Sequence, residues 1–261
     1  YAPIVKTARD FGLGDVSGID VPGEKKGIIP DPDWKKKRTK TVWYRGDTIL
    51  LSIGQGFTLV TPIQLAKAYT FLANKGWAYE PHVVSKIEDL QTGKIETVTT
   101  QKTVIEDYPK SYYDIINDAL IATVDQNNGT TRIMRNPYVK VAAKSGSAQN
   151  PHSKLTHAWV AGYFPADKEP EVVFVCLLEG AGGGGVMAGG MAKRFLDKYL
   201  EVEKGIVPVQ NTPHIEPKTT NSTIQTSGEQ ENESSGEGVG EERENEERET
   251  EETSTSEGEQ N

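Results

Sequence analysis

Three apolar runs lie close together near residues 139–148, 157–164 and 171–178, and only short loops separate them. Val139, Val141, Ala142 and Ala143 open the first. Ala158-Trp159-Val160-Ala161-Gly162-Tyr163-Phe164 is the second, and Val172-Val173-Phe174-Val175-Cys176-Leu177-Leu178 is the third. A parallel pairing needs a crossover of roughly a dozen residues or more, which these loops do not provide. The runs are therefore expected to pair antiparallel, one after the next. Helical patterns stand before and after them, so the chain is expected to fold as an α+β domain, an antiparallel sheet flanked by helices.

The first run ends in Lys144-Ser145-Gly146-Ser147-Ala148-Gln149. Lys144 supplies fixed positive charge. Ser145 and Ser147 can donate to an anion, and Gly146 lets a ligand approach the backbone. Such a strand edge can take an extended peptide ending in a carboxylate, by strand addition and carboxylate capture. A lysine, a hydroxyl and a glycine in a row are common on their own; the ordinary reading is a polar strand end.

The remaining elements follow from local signals. Residues 3–11 read as the end of a helix closed by Gly12 and Gly14. Residues 15–46 are rich in Gly, Pro and Lys and read as a long ordered loop. The basic run Lys35-Lys36-Lys37-Arg38 with Lys40 is either solvated there or drawn to an anionic polymer or headgroup. Thr61-Pro62-Ile63-Gln64 predicts a capped helix start, with Leu65, Tyr69 and Leu72 on one face and Gly76 as the stop. Residues 83–87 and 95–98, either side of Gln91-Thr92-Gly93, predict a hairpin. Pro109 opens a helix with Tyr112, Ile115, Ile116, Ala119 and Leu120 inward. Residues 187–201 predict a closing helix with Met191, Phe195, Leu196 and Tyr199 as its core face. The run Gly182 to Gly185 reads as a flexible turn, since nothing follows it at phosphate-loop spacing.

Charge is distributed unevenly. Residues 209–261 hold 15 acidic and 3 basic side chains, so this stretch contributes −12 to the net −9 and residues 1–208 carry +3. The acidity therefore says nothing about partners of the folded part. The tail has no aromatic residue and, after Ile224, only Val239 as a larger aliphatic. It cannot bury enough apolar surface to offset the entropy of ordering and is expected to be disordered, dividing the chain at 204/205. The single cysteine, Cys176, is expected in the core and permits no intrachain disulfide. His82, His152, His157 and His214 form no metal-ligand spacing. His157 as a catalyst lacks partners at triad spacing, and Trp43 and Trp159 fit packing better than a substrate platform. No apolar run is long enough to cross a membrane.

Beyond the lysine strand lie Trp43-Tyr44-Arg45-Gly46-Asp47-Thr48, Ser52-Ile53-Gly54-Gln55-Gly56, Thr61-Pro62-Ile63-Gln64-Leu65 and His157-Ala158-Trp159. With Lys144-Ser145-Gly146-Ser147-Ala148-Gln149, their order and spacing resemble the transpeptidase domain of class B penicillin-binding proteins. Phe11-Gly12-Leu13-Gly14, Gly18-Ile19-Asp20-Val21-Pro22-Gly23-Glu24 and Trp34-Lys35-Lys36-Lys37-Arg38 resemble the cell-elongation branch, penicillin-binding protein 2. The resemblance covers roughly residues 1–200.

It implies the penicillin-binding protein/serine β-lactamase-like fold, and peptidoglycan crosslinking through an acyl-serine that β-lactams trap. Three motifs carry that chemistry: Ser-x-x-Lys, Ser-x-Asn and Lys-Thr-Gly. Only the third is present, as Lys144-Ser145-Gly146, with serine keeping the hydroxyl of threonine. The other two precede Phe11 in the family, so they are expected upstream of this segment. By resemblance, Lys144 bonds the Ser-x-Asn serine, and Ser145 and Ser147 bind the terminal carboxylate. The Ser147 N–H forms half of the oxyanion hole, and Gly146 admits the substrate. The implied partners are the D-Ala-D-Ala stem peptide, β-lactams and membrane proteins of the elongation machinery. No metal, other cofactor or nucleic acid is implied. The implied location is the outer face of the cytoplasmic membrane, held by an N-terminal anchor. The competing reading is a fragment without the nucleophile that only binds or supports structure.

Overall fold

The computed structural model describes residues 1–150 and 154–207. Helix α1, Ala2–Asp10, ends in Gly12 and Gly14, both with positive φ. The stretch expected to be a loop contains a helix, α2, Pro32–Thr39. Its start is built from the same chemistry as the one anticipated at Thr61: the Asp31 side chain accepts from Trp34 N at 2.7 Å and Pro32 fills the first turn. Helix α3, Arg45–Ser52, follows.

Helix α4, Pro62–Ala73, has the anticipated capping box. Thr61 accepts from Gln64 N, and the Gln64 side chain accepts from Thr61 N. Gln64 is also fully buried, and its amide nitrogen donates to the carbonyls of Asp15 and Lys26. One side chain thus starts the helix and anchors the preceding loop. Leu65, Tyr69 and Leu72 are only half-buried; the deeper face is Gln64, Ala68 and Phe71.

The anticipated hairpin pairs β2, Lys86–Glu88, with β3, Ile95–Thr97. A second short pair, β1 (Trp77–Tyr79) with β4 (Lys102–Val104), was not signalled by the sequence pattern, because three-residue strands carry no alternation to detect.

The long strands pair as expected. In order, β5 (Ala142–Ala148), β6 (His157–Phe164) and β7 (Val172–Leu178) make one antiparallel sheet with β6 central. Helix α5 is Lys110–Asp125, and α6, Met187–Lys204, ends at Gly205 in the left-handed conformation. Odd and even positions of β5 serve opposite faces. Val141 and Ala143 pack with Val160, Phe164, Phe174, Ala192, Leu196 and Leu200, while Ala142 packs with Tyr163, Leu120 and Ala73. The fold class is the α+β arrangement that the sequence implied.

Two helix faces differ from expectation. On α5 the buried residues are Tyr113, Leu120 and Val124; Tyr112, Ile115, Ile116 and Ala119 are exposed. On α6 the buried row is Ala188, Ala192, Leu196 and Leu200, whereas Met191 and Phe195 are 46% and 49% exposed. In both helices larger apolar residues stand on more than one face, and tertiary contact chooses among them. Small residues win on α6 because Ala188 and Ala192 pack into the core beneath the sheet and Gly189 leaves room for Ile133. His152, His214 and the acidic stretch 209–261, expected to be disordered, lie outside the described residues.

Candidate active site

Among the described residues, strand β5 borders β6 on one side only. Its register pairs Lys144 with Ala161, Ser145 with Val160, Gly146 with Trp159 and Ser147 with Ala158. Backbone groups of alternate residues point to opposite sides of a strand. Three carbonyls of β5 accept from donors outside β6: Ala143 O from Thr123 Oγ1, Ser145 O from Lys144 Nζ at 2.7 Å, and Ser147 O from Gln55 Nε2 at 3.4 Å. The odd-numbered residues therefore turn their backbone groups to the free edge, and the N–H groups of Ser145 and Ser147 point the same way. Such an edge is open to an added strand.

The inner end of that edge is sealed. Thr123 Oγ1 bonds both Ala143 O and the fully buried Thr131 hydroxyl, the latter at 2.7 Å, and Thr131 N donates to Thr123 O. This polar knot joins α5, the turn at Arg132–Met134 and β5. The outer end, from Lys144 onward, carries only exposed caps: Lys144 folds onto its own strand, and Gln55 reaches across from the loop after α3.

Helix α3, which precedes that loop, is tied at its first turn to α2 by an ion pair. Lys35 on α2 meets Asp47 on α3 at 2.6 Å, and their side chains are only 8% and 13% exposed. Asp47 Oδ2 also accepts from Tyr44 N at 2.7 Å, and the Lys35 ammonium lies 4.7 Å from the Tyr44 ring centroid. The Lys35 hydrogen bond, then the Tyr44 N–H, hold the Asp47 carboxyl below its ordinary pKa against the opposing effect of burial. Only part of the basic run is thus a solvated surface: Lys36, Lys37 and Arg38 are exposed, while Lys35 is buried structure.

The four expected site residues divide by face. Lys144 and Gly146 stand on one side of β5, Ser145 and Ser147 on the other. Both serines meet the loop 182–185, which is no flexible turn. Gly184 N donates to Ser147 Oγ at 3.1 Å, and a Cβ on Gly185 would sit 3.7 Å from Ser145 Oγ. The loop is tied down at its other end, with Gly182 N donating to Thr156 O at 2.9 Å and Thr156 Oγ1 to Gly182 O at 2.8 Å. Gly180 N donates to His157 Nδ1 at 3.2 Å, which gives that histidine a structural bond. Sequence reading missed the loop because a glycine run signals freedom; here close backbone approach is what requires glycine.

Other sequence candidates fall away from the edge. Trp43 Nε1 donates to Thr48 Oγ1 at 2.8 Å, and its ring packs 5.5 Å from that of Tyr1. The half-buried Cys176 lies against the core, and burial pushes its thiol pKa up. The edge can hold an extended peptide and an anion. It offers no serine with a lysine three residues on.

A family model described as the penicillin binding protein transpeptidase domain matches residues 2–198. The chain is 35% identical over 236 residues to peptidoglycan D,D-transpeptidase MrdA of Haemophilus influenzae, covering 77% of this chain and 34% of that protein. To MrdA of Escherichia coli it is 35% identical over 207 residues, covering 73% and 32%. Among solved structures, Pseudomonas aeruginosa PBP2 in complex with WCK 5153 matches with a TM-score of 0.66 at 30% identity, over 78% of this chain and 45% of that one. Helicobacter pylori PBP2 in complex with MreC matches with a TM-score of 0.65 at 27% identity, over 77% and 36%. The chain thus spans about a third of the length of the curated relatives it matches. On its family match, its relatives and its sheet with the lysine-bearing edge strand, the chain belongs to the penicillin-binding protein transpeptidase domain family.

Proposed function

We propose that this chain forms the substrate-binding edge of a peptidoglycan D,D-transpeptidase of the elongation type. The observation that carries the reading is the free edge of β5, which presents two outward N–H groups, two hydroxyls and a lysine within four residues. A stem peptide ending in D-Ala-D-Ala lies along that edge. The Ser147 N–H donates to the scissile carbonyl oxygen as charge develops there, the kind of donor whose loss costs about 10²–10³ in rate. Ser145 and Ser147 receive the terminal carboxylate, and Lys144 keeps the cleft electropositive. The attacking serine and the Ser-x-Asn pair belong to the part of the relatives that this chain does not cover. That serine's oxygen bonds to the carbonyl carbon of the penultimate D-alanine, and the C–N bond breaks as terminal D-alanine leaves with a proton on its nitrogen. A stem-peptide amine then displaces the serine. A β-lactam fills the same edge and leaves the serine acylated.

Residues 1–204 are assigned to the transpeptidase domain and 205–261 to an acidic tail. The cellular setting is the outer face of the cytoplasmic membrane, with an N-terminal anchor and elongation-machinery membrane proteins as partners. H. pylori PBP2 has been solved with MreC, and P. aeruginosa PBP2 with WCK 5153. Labelling with a fluorescent penicillin tests the reading. The segment alone, lacking the nucleophile, should form no heat-stable adduct, and the protein that carries it together with a Ser-x-x-Lys motif should form one per chain. An adduct on the segment alone would place the nucleophile within it; none on the longer protein would leave a non-catalytic, binding or structural role.

A further inference from the structure

The glycine loop between β7 and α6 lies directly beneath both hydroxyls of the edge strand. A Cβ at Gly184 would overlap Gly146 O and stand 2.6 Å from Trp159 O; one at Gly185 would overlap Thr130 O. Loop backbone and strand backbone are therefore in contact, with no room for a side chain between them. The loop is fixed from the helix side as well, because Met187 N donates to Gly183 O and Gly189 N to Gly184 O, each at 3.0 Å. Against this rigid support Gly184 N donates to Ser147 Oγ at 3.1 Å.

The consequence is chemical. A serine hydroxyl has one hydrogen to give and two lone pairs with which to accept. When one lone pair takes the Gly184 N–H, the oxygen is held in place and its own hydrogen stays available to point away from the loop, toward the open side of β5. The exposed Ser147 then presents a donor to an anion. Without the Gly184 N–H the hydroxyl is free to rotate and donate to a nearby backbone carbonyl.

We propose that Gly184 is a positioning residue for the ligand's terminal carboxylate, acting through its backbone N–H on the Ser147 hydroxyl. The assignment rests on the transpeptidase reading above and names what sets the carboxylate selectivity of that site. The ligand class is an extended peptide, or its β-lactam mimic, that carries a free carboxylate beyond the reacting carbonyl.

The test uses the protein that carries this segment with its Ser-x-x-Lys motif. Replacing the amide that precedes residue 184 by an ester removes the N–H and adds no bulk; Gly184→Ala is the genetic counterpart and tests the close approach. Second-order acylation rates are measured for a β-lactam acid and for its methyl ester. The ester backbone should slow the acid about tenfold, because the Ser147 hydroxyl is no longer held to donate to the charged carboxylate, and change the methyl ester less than about twofold. In a Ser147→Ala background the same backbone change should have no further effect on the acid. Equal slowing of both ligands, or no change in either, overturns the assignment, because a merely structural loop does not distinguish them. A wild-type protein that no β-lactam acylates fails the transpeptidase reading itself and takes this assignment with it. Should the residue-184 variants not fold, amide hydrogen exchange on the present chain decides. Ser147→Ala should raise the Gly184 exchange rate about tenfold, and an unchanged rate contradicts the bond.

Discussion

Lys35 and Asp47 illustrate how a residue's surroundings change the meaning of its type. Four of the five basic residues in the stretch 35–40 are exposed, and counting charge treats all five alike. Lys35 is buried against Asp47 and Tyr44, so it behaves as a buried ion pair rather than a surface one. Lys35→Met leaves an unpaired carboxylate where two charges had matched and should cost about 3–5 kcal/mol at neutral pH. The sign with pH follows from the depressed Asp47 pKa. Its stabilisation is fully present above the unfolded value of about 4 and is lost as pH falls through the lower folded value. Denaturant unfolding should therefore show a large gap between wild type and Lys35→Met at pH 7 that narrows below pH 4. A gap of the same size at both pH values contradicts the pairing.

At the scale of elements, α6 separates what pattern can tell from what packing decides. The helix offers apolar residues on several faces, and the structure buries the row with the smaller ones. Leu196→Ala should cost about 2–5 kcal/mol, as it empties a fully buried position, while Phe195→Ala should cost under about 1 kcal/mol. Comparable losses in a thermal unfolding series would mean that Phe195 is the buried side chain after all. Much of the fold was legible: the three long strands, their pairing, the Thr61 capping box and the hairpin all follow from local rules. Helix α2 was missed: its start signal at Asp31-Pro32 stood in a stretch whose glycines and lysines read as a loop. The faces of α5 and α6 were not, because which of several apolar stripes is buried depends on partners distant in sequence. The edge-strand residues of the site could be named from Lys144-Ser145-Gly146-Ser147. The supporting contacts from Gln55 and Gly184 could not, since they join residues 92 and 37 positions apart.

For the molecule as a whole, the described residues contain one long sheet, whose edge strand is sealed at one end by Thr123 and left open at the other. On the proposed transpeptidase reading, that asymmetry leaves the outer end of β5 to bind and polarise a substrate whose attacking serine this segment does not supply. Lys144 stands at the start of the open end. Its ammonium rests on Ser145 O in this structure and is exposed. The most direct test is the second-order rate of β-lactam acylation in the protein that carries this segment with its Ser-x-x-Lys motif. Lys144→Ala should lower that rate about 30-fold or more, the equivalent of roughly 2 kcal/mol for a lost charged hydrogen bond. Lys144→Arg should not restore it, because a planar fork does not replace a compact ammonium. Lys154→Ala, an exposed lysine in the neighbouring loop, should leave the rate within about twofold. Equal rates for wild type and Lys144→Ala would contradict the account and leave β5 an ordinary polar edge.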